Sequence, residues 1–418
     1  MSNLVYRIGH HIGLTPHTIV ISKFLQRPEW MYRDRKNIPR SQIYYSPALA
    51  VTAEDVTLCE RLLAAYAKAT ETDLPPDSLS KIWHVMLARY GKLFSALDEG
   101  KAENLAATLS TMFKEAFLYG IASADQYPGS QTRLGLRIWA QKYLEDIVAL
   151  GEYLGVVRTE CPQQGVIGYA FKDGLEDLVK KIEDAIGISI GFPEIAAAYG
   201  IKIGETLITF ESPEHIYAAL RAYESMDQHL SPERAARPHV VELGAGFGGL
   251  GYWLMKIRPT IESYTIIDLP IINVLQGYFL SKVFGASNVS LFGEVDIAGA
   301  PAKGIRVLPT HALDILPDES VDMLVNQNSM PEIPEHVVDK YLGLAKHKVA
   351  GIFFSYNQEA YSPADNIPQV LVPEAVARVG GFKRLNRNYS WLRRGYVEET
   401  YLTENLSGRE SRPTSEQR

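Results

Sequence analysis

The stretch Glu242-Leu-Gly244-Ala-Gly246-Phe-Gly248-Gly249 places four glycines and a carboxylate in eight positions. Glycine serves where a turn is tight and a ligand must come close to the backbone. An apolar run, His239 to Leu243, precedes these residues, and a helical pattern begins at Gly249. The loop therefore joins a strand to a helix, whose free N–H groups face whatever sits in the loop. A second apolar run, Tyr264 to Asp268, ends on a carboxylate. A carboxylate there can accept hydrogen bonds from the vicinal hydroxyls of a ribose, or cap the helix opened by Leu269-Pro270. Glu242 lies inside an otherwise apolar strand end, where an unpaired carboxylate is costly. A ligand ammonium would give it a partner.

Two spacings coexist in this loop. Gly244, Gly246 and Gly249 satisfy the GxGxxG of dinucleotide-binding proteins. Gly244, Gly246 and Gly248, with Glu242 two residues earlier, satisfy the ExGxGxG of S-adenosylmethionine enzymes. Both ligands carry a ribose, so Asp268 does not separate them. A further polar cluster, Asn326-Gln327-Asn328-Ser329-Met330-Pro331-Glu332, follows the strand predicted from Asp322 to Val325. Ligands of open parallel sheets sit beyond the carboxyl ends of the strands, so this loop borders the reacting centre. Glu332 can take the proton of a substrate hydroxyl, with Asn326 to Asn328, Asn328 above all, orienting it. It can equally be one of the acids favoured at the start of the next helix. His336, one helical turn later, is a second candidate base, although a histidine there is commonly a surface residue. Tyr356-Asn357-Gln358-Glu359, continued by Tyr361, Asp365 and Asn366, suits a sugar ring or a plain polar loop. The ten histidines are scattered with no HExxH, so no metal is expected; Asp268, Glu332 and Asp365 are the carboxylates that could meet in space.

These residues need a scaffold. From His239 onward, short apolar runs alternate with helical stretches: Val289 to Phe292, Ile305 to Leu308, Met323 to Val325 and Gly351 to Ser355 are further strands. Such alternation predicts an α/β unit with a parallel sheet covered on both faces. It closes differently: Phe382 to Trp391 and Tyr396 to Tyr401, joined by Arg393-Arg394-Gly395, read as antiparallel strands. Upstream the period is helical. Leu79 to Leu97 is one candidate helix; Leu105, Leu109, Met112, Phe113, Ala116 and Phe117 form one helix face that stops at Gly120. Leu136 to Val148 forms another, and short strands are predicted around Ile188, Ile190, Leu207, Ile208 and Phe210. The division is a basic arm at 1–42, a mainly helical domain at 43–230, the α/β domain at 231–404 and a disordered tail at 405–418.

Residues His239 to Tyr401 resemble a class I S-adenosylmethionine-dependent methyltransferase. Within that class the chain is similar to the sugar O-methyltransferases of bacterial glycan and secondary-metabolite pathways. The resemblance rests on Val241-Glu-Leu-Gly-Ala-Gly-Phe-Gly-Gly249, Ile267-Asp-Leu-Pro270, Asn326-Gln-Asn-Ser-Met-Pro-Glu332 and Gly395-Tyr-Val-Glu-Glu399, with Trp83 and Met112-Phe-Lys-Glu-Ala-Phe117 upstream. It implies a Rossmann-like seven-stranded sheet whose last strand is antiparallel, at the C-terminal end of the chain and preceded by the mostly α-helical domain. It implies S-adenosylmethionine held by Glu242, Gly244, Ala245, Gly246, Asp268, Leu269 and Asn326. Many such enzymes pair the adenine amino group with an acid; here the aligned position is Thr310, so Thr310 or His311 would take adenine instead, with Asp314 a displaced substitute. The reaction expected is methyl transfer to a hydroxyl of a sugar, glycoside or related natural product. An amino nitrogen of a sugar or peptide remains the alternative acceptor, and an NAD-dependent oxidoreductase the remoter one.

Composition limits the partners. Lys and Arg total 42 against 49 Asp and Glu, a net charge of -7, which does not attract a polyanion as a whole. No nucleic-acid partner is expected. The arm at 1–42 runs the other way, with seven basic residues against Glu29 and Asp34. Two cysteines make no disulfide framework, and no apolar run reaches the roughly 18 residues of a membrane span. A cytoplasmic enzyme, forming a homo-oligomer through its N-terminal region, is the expectation.

Overall fold

The structure, a computed structural model, describes residues 43–72, 75, 77–115, 133–159, 174–301, 303–359, 369–393 and 395–403. The basic arm, Ala116, Phe117, Gly120, Cys161, Tyr361, Asp365, Asn366 and the tail from 405 lie outside the described residues.

The chain divides into two compact units. The first takes its described residues from 43–50 and 110–214. It holds an antiparallel sheet of β1 (Ile43–Tyr45), β2 (Tyr199–Ile203) and β3 (Thr206–Thr209), in that order. The helices Arg133–Tyr153 and Leu175–Ile186 belong to the same unit. The predicted strands near Leu207 and Ile208 form, but Ile188 and Ile190 are not in a strand. Ile190 instead accompanies a turn whose N–H donates to Glu183.

The second unit comprises 51–109 and 215–418. Its sheet contains β4 (His239–Leu243), β5 (Ser263–Asp268), β6 (Val289–Leu291), β7 (Gly304–Pro309), β8 (Val321–Gln327), β9 (Val349–Gln358), β10 (Phe382–Tyr389) and β11 (Tyr396–Thr403). The order across the sheet is β10-β11-β9-β8-β4-β5-β7-β6. Strands β4 to β9 run parallel, while β11 is antiparallel to both β9 and β10. The sheet thus has eight strands rather than seven. The eighth, β6, is an edge of three residues that buries Val289 and Leu291. The helix Ala53–Thr70 covers that edge: Arg61 donates to the Val289 and Ala286 carbonyls and pairs with Glu294 at 2.7 Å. Covering an edge in this way removes a template for unwanted pairing.

Alternation along the strands sorts the two faces. One face carries Val241, Leu243, Ile267, Leu308, Leu324 and Phe353 and packs on the helices Glu335–Lys348 and Val372–Val379. The other carries Glu242, Tyr264 and Asp268. Against it lie the helices Gly249–Ile257 and Pro270–Phe284, and Ser212–His229, whose Tyr217 and Ser225 bond Glu398 and Thr400 of β11.

Two predicted helices are shorter than their stripes. The run from Leu79 breaks into Lys81–Leu87, a 3-10 turn and Gly91–Asp98. The face beginning at Leu105 stops at Leu109, where Thr111 leaves helical geometry (φ -126, ψ 20), and resumes as a 3-10 turn at Met112–Lys114. In both places the apolar spacing survives, but the backbone tightens to fit its neighbours.

Candidate functional site

Strand β4 is flanked by β5 on one side and β8 on the other. The chain crosses the sheet in opposite directions from this point, which opens a crevice beyond the carboxyl end of β4. The glycine loop lies there. Gly244, Gly246 and Gly248 all have positive φ, at 68°, 56° and 94°. Gly244 is also crowded: a Cβ would stand 2.3 Å from Ser329 Oγ. Gly246 has the opposite surroundings, with nothing within 4 Å of a Cβ. One glycine is needed for the loop to dock on its neighbour, the other leaves its backbone open to a ligand.

Asp268, 6% exposed at the end of β5, is bound into this loop. Its Oδ2 accepts from Ala245 N at 2.9 Å and from Gln276 Nε2 at 2.7 Å; its Oδ1 accepts from Leu269 N at 2.8 Å. The Gly246 N–H supports the carboxylate as well, so with about two acceptor sites per oxygen these four donors take up most of its capacity. Burial pushes its carboxyl up to about 6, against the pull of those donors. Gln276 ties the arrangement together, since Nε2 also donates to Gly246 O at 2.9 Å and Oε1 accepts from Asn273. Leu269 is the N-cap of the helix Pro270–Phe284 and makes no side-chain cap. Tyr90, from the helical region, is near enough that the charge of Asp268 adds to burial in keeping its phenol protonated.

Glu242 is 1% exposed and accepts from Tyr264 OH at 2.7 Å. The strand position expected to need a ligand ammonium thus already has a partner on β5. Desolvation nevertheless dominates and pushes the carboxyl up to about 8, with the charge of Asp268 adding to it. At that value Glu242 is mostly protonated near neutral pH.

Asn326 proves to be scaffold. Its Nδ2 donates to Leu243 O at 2.7 Å and to Ser329 Oγ; its Oδ1 accepts from Asn357 Nδ2 at 2.9 Å and Met330 N at 3.3 Å. All four sites of the amide are used, so its side chain holds the ends of β4, β8 and β9 together and has nothing left for a cofactor. Asn328 sits in the left-handed region at φ 59, which asparagine tolerates, and its N–H donates to Tyr356 O.

Glu332 ends the 3-10 turn Met330–Glu332. It is half-buried, and its carboxylate makes no hydrogen bond or ion pair with any described residue. Burial pushes it up to about 7, with Arg393 pulling the other way. His336 is elsewhere in character: its exposed ring lies 3.1 Å from Asp77 on the surface. Thr310, after β7, is hydrogen-bonded to Tyr341, and the His311 ring meets Phe292 edge-on at 5.2 Å. Burial lowers the His311 pKa. Among the described residues no group of three His, Cys, Asp or Glu is placed to hold a metal ion, and no helix is long and apolar enough to cross a membrane.

The structure therefore gathers Glu242, Gly244, Ala245, Gly246 and Asp268 into one hydrogen-bonded loop, with Asn326 supporting it from below. Gln276, Tyr264 and Tyr90 were not foreseen. Gln276 alone left a signal, as the polar residue within the run Val274 to Leu280.

The sequence matches no protein-family model and no curated protein. Among solved structures it is similar to the mitomycin 7-O-methyltransferase MmcR, at a TM-score of 0.35 and 12% identity, covering 84% of this chain and 96% of that one. It is similar to the magnesium protoporphyrin IX methyltransferase ChlM from Synechocystis, at a TM-score of 0.33 and 9% identity, covering 48% and 90%. It is also similar to the [4+2]-cyclase SpnF, at a TM-score of 0.31 and 13% identity, covering 44% and 80%. Likenesses of this size do not distinguish one reaction from another.

Proposed function

We propose that the chain is an S-adenosylmethionine-dependent methyltransferase that methylates a hydroxyl of a sugar, glycoside or related natural product. The carrying observation is the loop from Glu242 to Gly249. Three glycines with positive φ, the open side of Gly246, the loop-bound carboxylate of Asp268 and the buried Glu242 lie together at the switch point of a parallel sheet. The antiparallel placement of β11 supports the methyltransferase reading over a dinucleotide-binding one.

When bound, the donor supplies an electrophilic methyl group on sulfonium. The chain's own part is to hold and to remove a proton. Asp268 would face the ribose, while Gln276 keeps Gly246 and Asp268 in register. Glu242 would ionise as it meets the ammonium. Glu332 is the general base in this reading: a half-buried carboxylate with no partner among the described residues and a pKa near 7 can take a hydroxyl proton at neutral pH. Asn328, four residues earlier in the same segment, would orient that hydroxyl. His336, exposed and set against Asp77, is not given that part. Orientation of the two reactants contributes the larger share of the rate.

A calorimetric titration with S-adenosylmethionine, S-adenosylhomocysteine and NAD tests the cofactor. Binding of NAD and of neither adenosyl ligand would sink the proposal. Incubation with labelled methyl donor and cell extract, followed by locating the added 14 Da on product fragments, separates an oxygen acceptor from a nitrogen one.

A further inference from the structure

Gln327 is the last residue of β8 and only 7% exposed. Both atoms of its amide, Nε2 and Oε1, are buried without a hydrogen-bond partner. An unmade bond of this kind costs about 1–3 kcal/mol per buried group. Leucine at this position would carry no such cost. Asn326, one residue earlier and on the opposite face, shows the contrast, with every site of its amide used inside the protein.

The register says which ligand is in reach. Val325 pairs with Glu242 across β8 and β4, and Gln327, two residues on, shares that face. On its other side its Cα partner is Tyr356 of β9. Ser329, two residues beyond, packs directly over Gly244. Gln327 therefore stands beside the glycine loop, past the carboxyl end of the strand, on the side of the sheet that carries Glu242 and Asp268.

We propose that Gln327 binds the α-amino-acid end of the methyl donor, with Oε1 accepting from the ammonium and Nε2 donating to the carboxylate. A primary amide presents one donor and one acceptor side by side, and an α-amino acid presents the complementary pair on neighbouring atoms. Glu242 on the same face adds a second acceptor for the ammonium. Vicinal hydroxyls of an acceptor could match the amide too, but the contact of Ser329 with Gly244 puts this residue on the donor's side of the crevice. The inference rests on the donor assigned above.

The test compares two ligands on wild-type protein and on Gln327→Leu and Gln327→Met. S-adenosylhomocysteine carries the amino acid; 5′-methylthioadenosine keeps the adenosine and the sulfur without it. Both variants are expected to bind S-adenosylhomocysteine about 10- to 100-fold more weakly and methylthioadenosine within about twofold of wild type. Both should melt no lower than wild type, because they remove an unsatisfied amide. Unchanged affinity for S-adenosylhomocysteine overturns the inference and moves Gln327 to the acceptor's side. An equal loss of both ligands overturns it as well, since that marks a disturbed loop. Wild-type protein that binds neither ligand overturns the donor reading of the whole site, an outcome distinct from failure of Gln327 alone.

Discussion

Glu242→Gln should stabilise the protein in a way that depends on pH. Folding raises the Glu242 carboxyl from its ordinary 4.5 to about 8, because burial in β4 disfavours the charge more than the Tyr264 hydroxyl supports it. The folded state then binds this proton more tightly than the unfolded chain. Stability tied to the group is fully present below about pH 4.5 and is lost as pH rises toward 8. Integrated between pH 5 and pH 8, the loss comes to about 3–4 kcal/mol. Glutamine keeps the shape and the bond from Tyr264 but has no proton to lose. Thermal melts of both proteins should nearly coincide at pH 5 and separate at pH 8. For a chain of this length a kcal/mol is worth about 1 °C, so the variant should melt about 3 °C higher. Parallel melting curves across that range would refute the buried, protonated Glu242. The same reasoning predicts that the donor's ammonium, by ionising Glu242, releases a proton on binding. Titrations in buffers of different ionisation enthalpy would count it, and the glutamine variant should lose that release.

Glu332→Gln should lower methyl transfer by about 10²–10⁴-fold with donor affinity intact; in wild type the rate should fall as pH drops through about 7, where the base becomes protonated. Radiolabel transfer from the donor measures both, and a variant of normal rate removes Glu332 from the mechanism. Gly246→Ala and Gly244→Ala should fail differently. The first has space for its methyl group and should lose donor binding at a strain cost of about 1–2 kcal/mol, whereas the second strikes Ser329 and should melt well below wild type. Donor affinity should also weaken as pH falls through about 6, where Asp268 takes up a proton; Asp268→Ala should show weak binding at every pH, as calorimetry across pH 5 to 8 would reveal.

The sheet was legible because its signals are local. Apolar runs separated by helical stretches marked β4, β5, β7, β8 and β9, the first two closed by a glycine and a carboxylate, and a turn at Gly395 marked the closing hairpin. The eighth strand was visible in Val289 to Phe292, although the family resemblance implied a sheet of seven. The broken helices at Gly91 and Ser110 were not legible, since an apolar stripe keeps its spacing through a 3-10 turn. Which helices share a compact unit with the sheet is likewise a long-range matter that no local period encodes.

The polar residues of the site divide by what they have left to offer, and residue type does not announce this. Asn326 and Gln327 are neighbours of the same chemistry at the same strand end. One has spent its amide on Leu243, Ser329, Met330 and Asn357, and the other has spent none of it. Asp268, expected to hold two ribose hydroxyls, already accepts from Ala245, Gly246, Leu269 and Gln276 around it. A buried group already satisfied is a strut, and its removal should cost stability as well as binding. A buried group left unsatisfied is an expense for the free protein, and its removal should cost binding alone. By that criterion Asp268, Gln276 and Asn326 build the loop, Gln327 and Glu332 await what enters it, and Glu242, held by Tyr264, stands between the two.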